Sequence, residues 1–239
     1  MPARAVHAAS TSSTWHPATA TARRSAAGYP AGVRIVTTCG LGDVDPSEVA
    51  ARLEKSLDES LERMRLSFVD VFLLHHPVAA HVEPGQWATP TRVFTDAVRP
   101  AMEDLVRRGR IGAWGITAIS EPDEVIAALR GEPKPAVAQC VTNLLDSPGE
   151  LYTGGEPRSR EILAAAEANG VGIMGIRAVQ AGALTDDLDR ELPDDHPTVV
   201  DFRRAAPFRT LARELGEPRR RSRTATRCRC RGWRPWCSA

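Results

Sequence analysis

Two adjacent histidines, His75 and His76, close the run Ser67-Phe68-Val69-Asp70-Val71-Phe72-Leu73-Leu74 and stand just before Pro77. A neutral imidazole can donate or accept a hydrogen bond, so a histidine so placed can polarise a substrate carbonyl. The commoner role of such a residue is to satisfy buried backbone groups, and residue types alone leave both readings open for His75. His76 points to the other face and reads as structural. Three of the five cysteines, Cys228, Cys230 and Cys237, crowd the C-terminal end. Their spacing is unlike that of a zinc site, so they read as unpaired thiols and no metal is expected. The same stretch, Glu217 to Ala239, holds eight arginines together with Trp233 and Trp236. Such aromatics can stack on bases, but arginine runs are more often simply solvated, and nucleic-acid binding is the minor reading.

The elements that must position His75 follow from the apolar pattern. Val69, Val71, Phe72, Leu73 and Leu74 form a nearly continuous β-favouring run, interrupted once by Asp70, as a strand covered on both faces requires. Pro77 then forces a loop, which puts His75 at the carboxyl end of a parallel strand, where ligands collect in α/β folds. Similar short runs recur at Val33 to Thr38, Ile111 to Ile116, Pro135 to Val141 and Val171 to Ile176. Helical spacing fills the gaps. Asp45-Pro46-Ser47-Glu48 predicts a capped start, followed by Val49, Leu53, Leu57, Leu61 and Met64 on one face. Further helices are predicted over 92–108, ended by Gly109, from Ser120 through Arg130, ended by Gly131, over 158–169, and within 198–215 with Phe202, Phe208, Leu211 and Leu215 apolar.

Five strands separated by helices mean parallel pairing and right-handed crossovers. No Gly-x-Gly-x-x-Gly fingerprint and no phosphate-binding loop of the P-loop type are present, which favours a barrel over a doubly wound sheet. The predicted class is therefore α/β, a (β/α)8 TIM-barrel type with about five recognisable units. Three regions are expected: a poorly structured segment over 1–32, a barrel-type domain over 33–216 and a basic tail over 217–239. The start is acid-poor, as transit peptides are, but its amphipathic face is weak. No run of about eighteen apolar residues exists, so a soluble chain is expected, and Cys39 and Cys140, each alone in an apolar segment, fit a reducing cytoplasm. The first acid is Asp43 and the composition changes abruptly at Pro218. Ends read in a shifted frame of a GC-rich gene would produce both features.

Several of these segments, in order, resemble the aldo/keto reductase superfamily. Leu53 through Leu57 and Leu61 to Phe68-Val69-Asp70 and Leu74-His75 is similar to that family's helix leading to its fourth strand, which ends in the catalytic histidine. Leu105-Val106-Arg107-Arg108-Gly109-Arg110-Ile111 with Trp114-Gly115-Ile116 resembles its fifth-strand signature. Gln139 with Asn143-Leu144-Leu145 resembles the sixth strand, and Ala164 to Ile176 with Gly182-Ala183-Leu184-Thr185 the seventh and its loop. The resemblance covers roughly 33–216. It implies a (β/α)8 barrel that binds NADPH and reduces small-molecule aldehydes or ketones, with His75 catalytic. It further implies a cofactor-binding set of Thr117, Gln139, Asn143, Ile176, Arg177, Gly182 and Leu184. In that set Thr117 and Gln139 hold the nicotinamide amide, Ile176 covers its ring, and Gly182 and Leu184 pass the pyrophosphate. The family's lysine falls on Thr38, which carries no charge to tune a phenol. Its aspartate and tyrosine have no counterpart upstream of Asp43. A catalytically inactive fragment or scaffold of the same ancestry is thus the alternative to an active reductase.

Overall fold

The computed structural model describes residues 5–6, 33–41, 44–119, 121–151 and 156–216. The expectations for the rest of 1–32 and for the arginines, tryptophans and cysteines of 217–239 lie outside these residues. The strands are β1 (Ala5–Val6), β2 (Arg34–Cys39), β3 (Val69–Leu74), β4 (Val78–Ala79), β5 (Thr89–Pro90), β6 (Ile111–Ala118), β7 (Val137–Val141) and β8 (Gly172–Ile176). The helices are α1 (Val49–Met64), α2 over 91–107, α3 (Pro122–Arg130), α4 (Ser159–Ala168), α5 (Pro197–Arg204) and α6 (Ala206–Glu214).

The main sheet runs in the order β1-β2-β3-β6-β7-β8. From β2 onward every pairing is parallel, and β1 adds antiparallel at the β2 edge. Each parallel strand is followed by helix, and the sheet curls, so the five expected units form a partial (β/α)8 barrel. Because all five strands run the same way, their carboxyl ends share one rim.

Strand alternation divides the sheet into two faces. Cys39, Phe72, Leu74, Trp114, Ile116, Ala138 and Cys140 point into the main core, against Leu53, Leu57 and Leu61 of α1, Met102 and Leu105 of α2, Val125 and Leu129 of α3 and Ile162 of α4. The other face carries Val71, Ala113, Val137 and Met174, all half-buried, around a fully buried Leu73. Gly115 lies opposite Leu73, and no side chain fits there: a Cβ would stand 2.2 Å from Val137 O and 2.4 Å from Leu73 Cδ2. Asp70, the one acid in β3, is 1% exposed. Its Oδ2 accepts the Ile35 N–H at 2.7 Å and its Oδ1 faces Arg34 Nη1 at 3.3 Å, tying the starts of β2 and β3 together.

Local signals are met at several helix ends. Asp45 Oδ1 accepts the Ser47 N–H at 2.8 Å, Pro46 opens the turn, and Gly109 and Gly170 follow their helices with φ of 67° and 71°. Gly131 works differently. Its φ is −72°, so it is not a left-handed cap. It is needed because a Cβ would lie 2.6 Å from the buried Arg99 guanidinium, which donates to Ala128 O and Glu132 O at 3.1 Å each. The predicted helix over 92–108 contains a π segment, Phe94–Val98. The single helix expected within 198–215 is two helices that break at Ala205, and of its apolar residues Phe202 and Phe208 are half-buried while the last two do not pack. Leu211 is 52% and Leu215 63% exposed, whereas Thr198, Asp201, Ala205, Arg209 and Ala212 are buried. Polar anchors described below, rather than apolar area, decide which face of these helices turns inward.

Candidate active site at the carboxyl rim

The rim begins where β3 ends. The His75 N–H donates to Cys39 O at 2.8 Å, which carries the β2–β3 ladder one residue past the strands and fixes where the His75 side chain leaves. Its ring is exposed on one side and meets Trp87 edge-on, with centroids 4.9 Å apart. His76 packs on the same indole at 5.2 Å and is buried. Its Nε2 lies 3.2 Å from where a Gly40 Cβ would be, so the residue after β2 has to stay small. Desolvation pushes both imidazoles below their ordinary pKa, and His76 further so because His75 is beside it. The His75 ring is therefore mostly neutral at pH 7, a state that can donate to a carbonyl oxygen from one nitrogen.

Thr117 and Gln139 occupy neighbouring positions on β6 and β7, with Met174 next along on β8. Thr117 follows Ile116, the partner of Leu74, so it stands beside His75 at the rim. Its buried Oγ1 lies 3.0 Å from Leu74 O and 3.2 Å from Gln139 Oε1. One hydroxyl proton serves only one of these acceptors. With Leu74 O taking it, the Gln139 amide turned by half a rotation donates to Oγ1. Gln139 is half-buried, and among the described residues the other end of its amide approaches only Met174 Sδ, at 3.6 Å. A carboxamide with unfilled valences at a rim suits an amide-bearing ligand.

The remaining candidates gather in the loops after β7 and β8. The Asn143 side chain is engaged on every side: Oδ1 accepts from Leu145 N and Ser147 N, and Nδ2 donates to Ser147 O and Gln180 Oε1. Ile176 ends β8 half-buried, its carbonyl accepting the Thr142 N–H at 3.0 Å. Arg177 grips Pro148 O through both Nε and Nη2, at 3.2 and 3.0 Å, and lies 3.7 Å from Glu150. Gly182, with φ of 96°, makes the turn that buries Leu184. The amides of Gly182, Ala183, Leu184 and Thr185 all donate within that turn. It offers a ligand shape and packing rather than free N–H groups.

Sequence reasoning missed the group that holds these loops. Asp201, 3% exposed, accepts from Ser147 Oγ at 2.5 Å and Gln180 Nε2 at 2.7 Å through one oxygen and from Arg204 Nη1 at 2.8 Å through the other. Arg209 donates to Ala183 O and Phe202 O while its guanidinium lies 3.7 Å over the Phe202 ring. The available signal was the helical spacing of Thr198, Asp201, Ala205, Arg209 and Ala212, a polar and small stripe that an apolar search passes over. Trp87 was missed as well, since a single loop aromatic has no periodicity. Among the described residues there is no tyrosine and no cluster of three or more metal-ligating side chains, and the only lysines are Lys55 in α1 and Lys134 ahead of β7.

A sequence profile of the Aldo/keto reductase family matches residues 17–221. The chain belongs to that family. L-galactose dehydrogenase of Arabidopsis thaliana is 22% identical over 172 residues, 72% of this chain and 48% of that protein. Among solved structures, a silkworm (Bombyx mori) aldo-keto reductase complexed with NADPH is similar with a TM-score of 0.53 at 18% identity, over 88% of this chain and 58% of that one. The holo form of an aldo-keto reductase from Bacillus halodurans gives a TM-score of 0.50 at 19% identity, over 74% and 49%. At these identities the structures support the fold. The chain spans about half the length of the relatives it matches. Aldo/keto reductases are oxidoreductases that use a nicotinamide cofactor, and His75, Thr117 and Gln139 stand together on three adjacent strands of this member's partial barrel.

Proposed function

We propose that this chain binds NADPH along the carboxyl rim of its sheet and reduces a small aldehyde or ketone there. The observation that carries the reading is the register that sets His75, Thr117 and Gln139 level with one another across three neighbouring parallel strands. The donor set fits the nicotinamide end of the cofactor: Gln139 has amide valences to offer, Thr117 orients it, and Ile176 and Met174 are apolar neighbours for a ring. NADPH, when bound, supplies the hydride. His75 hydrogen-bonds the carbonyl oxygen as negative charge develops on it and, when protonated, passes it a proton. Its lowered pKa makes the protonated form a minority at pH 7, so turnover should rise as pH falls from 8 toward 6. The working compartment is a reducing cytoplasm, in which the buried Cys39 and Cys140 remain thiols.

One observation favours a second reading. Thr38 stands where the family's lysine is expected, and no other described lysine or tyrosine reaches this rim. On that reading the chain is a catalytically silent family member. Calorimetric titration with NADPH, followed by loss of NADPH absorbance on adding a test aldehyde, separates the two. Binding with turnover supports the reductase and binding without turnover the silent form, while no binding rejects the cofactor site altogether.

A further inference from the structure

We propose that Asp201 is a positioning residue that holds the two cofactor-side loops in register, and this rests on the NADPH reading above. Three features of the geometry lead to it. First, Asp201 reaches the rim from α5, far along the chain, yet a single carboxylate oxygen accepts from both Ser147 in the loop after β7 and Gln180 in the turn after β8. The other oxygen takes Arg204 Nη1, and Arg204 Nη2 returns to Leu145 O at 3.3 Å, so the first loop is gripped twice. Second, the turn after β8 is strained. Arg177, Gln180 and Ala181 have φ of 58°, 48° and 49°, a conformation that side chains adopt reluctantly and that persists only where surroundings over-determine it. Gln180 is fully buried, so its amide is the handle by which the strain is fixed. Third, the loops approach each other too closely for an ordinary residue at Gly149. Its φ is 61° and a Cβ there would meet Gln180 Nε2 at 2.5 Å.

Asn143, Ile176, Arg177, Gly182 and Leu184 all lie in or against these two loops. Their relative placement therefore depends on a carboxylate that itself touches none of the cofactor positions. A loop pair that is correctly ordered only part of the time lowers apparent affinity by that fraction. The substitution Asp201→Asn keeps the shape but presents one acceptor oxygen where two were, and it removes the charge that anchors Arg204. It should weaken NADPH binding about tenfold if roughly one molecule in ten keeps both loops ordered. Ser147→Ala removes one tie only and should weaken it less. Ile111→Val, at the amino end of β6 and away from the rim, supplies a control that loosens the core without touching either loop.

The experiment is calorimetric NADPH binding on the full chain and these three variants, with hydrogen exchange of 143–150 and 177–185 followed in parallel. Weakened binding in Asp201→Asn, with both loops exchanging faster together and β3 and β6 unchanged, supports the assignment. Wild-type affinity in Asp201→Asn, or an equal loss in Ile111→Val, overturns it. If the wild type binds no NADPH, the cofactor reading fails by itself, and exchange then decides the clamp: joint release of both loops retains it as a loop-ordering device, and unchanged exchange removes it.

Discussion

Replacing Asp70 by alanine tests whether a buried charge in β3 stabilises the sheet or is merely tolerated there. The carboxylate is 1% exposed, accepts the Ile35 N–H at 2.7 Å and faces Arg34, whose side chain is 18% exposed. Truncation leaves a buried amide without its acceptor, worth about 1–3 kcal/mol, and takes the Asp70 carboxylate away from a largely buried guanidinium. Breaking a fully buried pair costs about 3–5 kcal/mol, and Arg34 keeps some contact with water, so a total near 3 kcal/mol is expected. Asp70→Asn keeps an oxygen toward Ile35 while losing the charge that faces Arg34, and should cost less, about 1 kcal/mol. Urea unfolding followed by far-ultraviolet circular dichroism reads both, provided the dependence on urea keeps the same slope. The reasoning is refuted if Asp70→Ala costs less than about 1 kcal/mol or if alanine and asparagine cost the same.

Other expectations follow from single contacts. Gly115→Ala would push a methyl to within 2.2 Å of Val137 O, so β6 and β7 must separate; a loss above about 3 kcal/mol, or no folded protein, is expected by dichroism. Thr89 is 2% exposed and its hydroxyl has no partner among the described residues, so Thr89→Val should raise the unfolding free energy by about 1 kcal/mol; a lower urea midpoint would contradict this. His75 and His76 both have lowered pKa values in the folded chain, so the unfolded chain takes up protons first as pH falls below about 6.5. Their contribution is therefore present above pH 7 and lost on acidification. Urea midpoints compared between pH 7.5 and 5.5 should fall less in His75→Gln/His76→Gln than in the wild type, and an equal fall in both proteins would exclude the histidines as its source.

What could be read from the residue order was whatever depends on neighbours along the chain. The apolar, β-favouring run from Val69 to Leu74, the cap at Asp45 and the glycines at 109 and 170 specify strands, a helix start and helix ends through local sterics and local hydrogen bonds, and each stands where it was expected. Once five strands alternate with helices, crossover handedness leaves few arrangements, so a parallel sheet with one carboxyl rim followed as well. His75 could be placed on that rim for the same reason. Trp87 could not, because only the folded loop lays it against both imidazoles.

The helices over 197–214 show where this reasoning stops. Apolar periodicity selects Phe202, Phe208, Leu211 and Leu215, yet the fold turns Thr198, Asp201, Ala205, Arg209 and Ala212 fully inward, leaving the two phenylalanines half-buried and the two leucines exposed. Burying a leucine gains about 1.5–3 kcal/mol wherever an apolar surface waits for it. Carbonyls and amides in the loops after β7 and β8 need partners once they are enclosed, and Asp201 and Arg209 can meet that need from only one orientation of their helices. That need exists only after residues 143–150, 177–185 and 197–209, distant in the chain, have come together, so tertiary structure decides it.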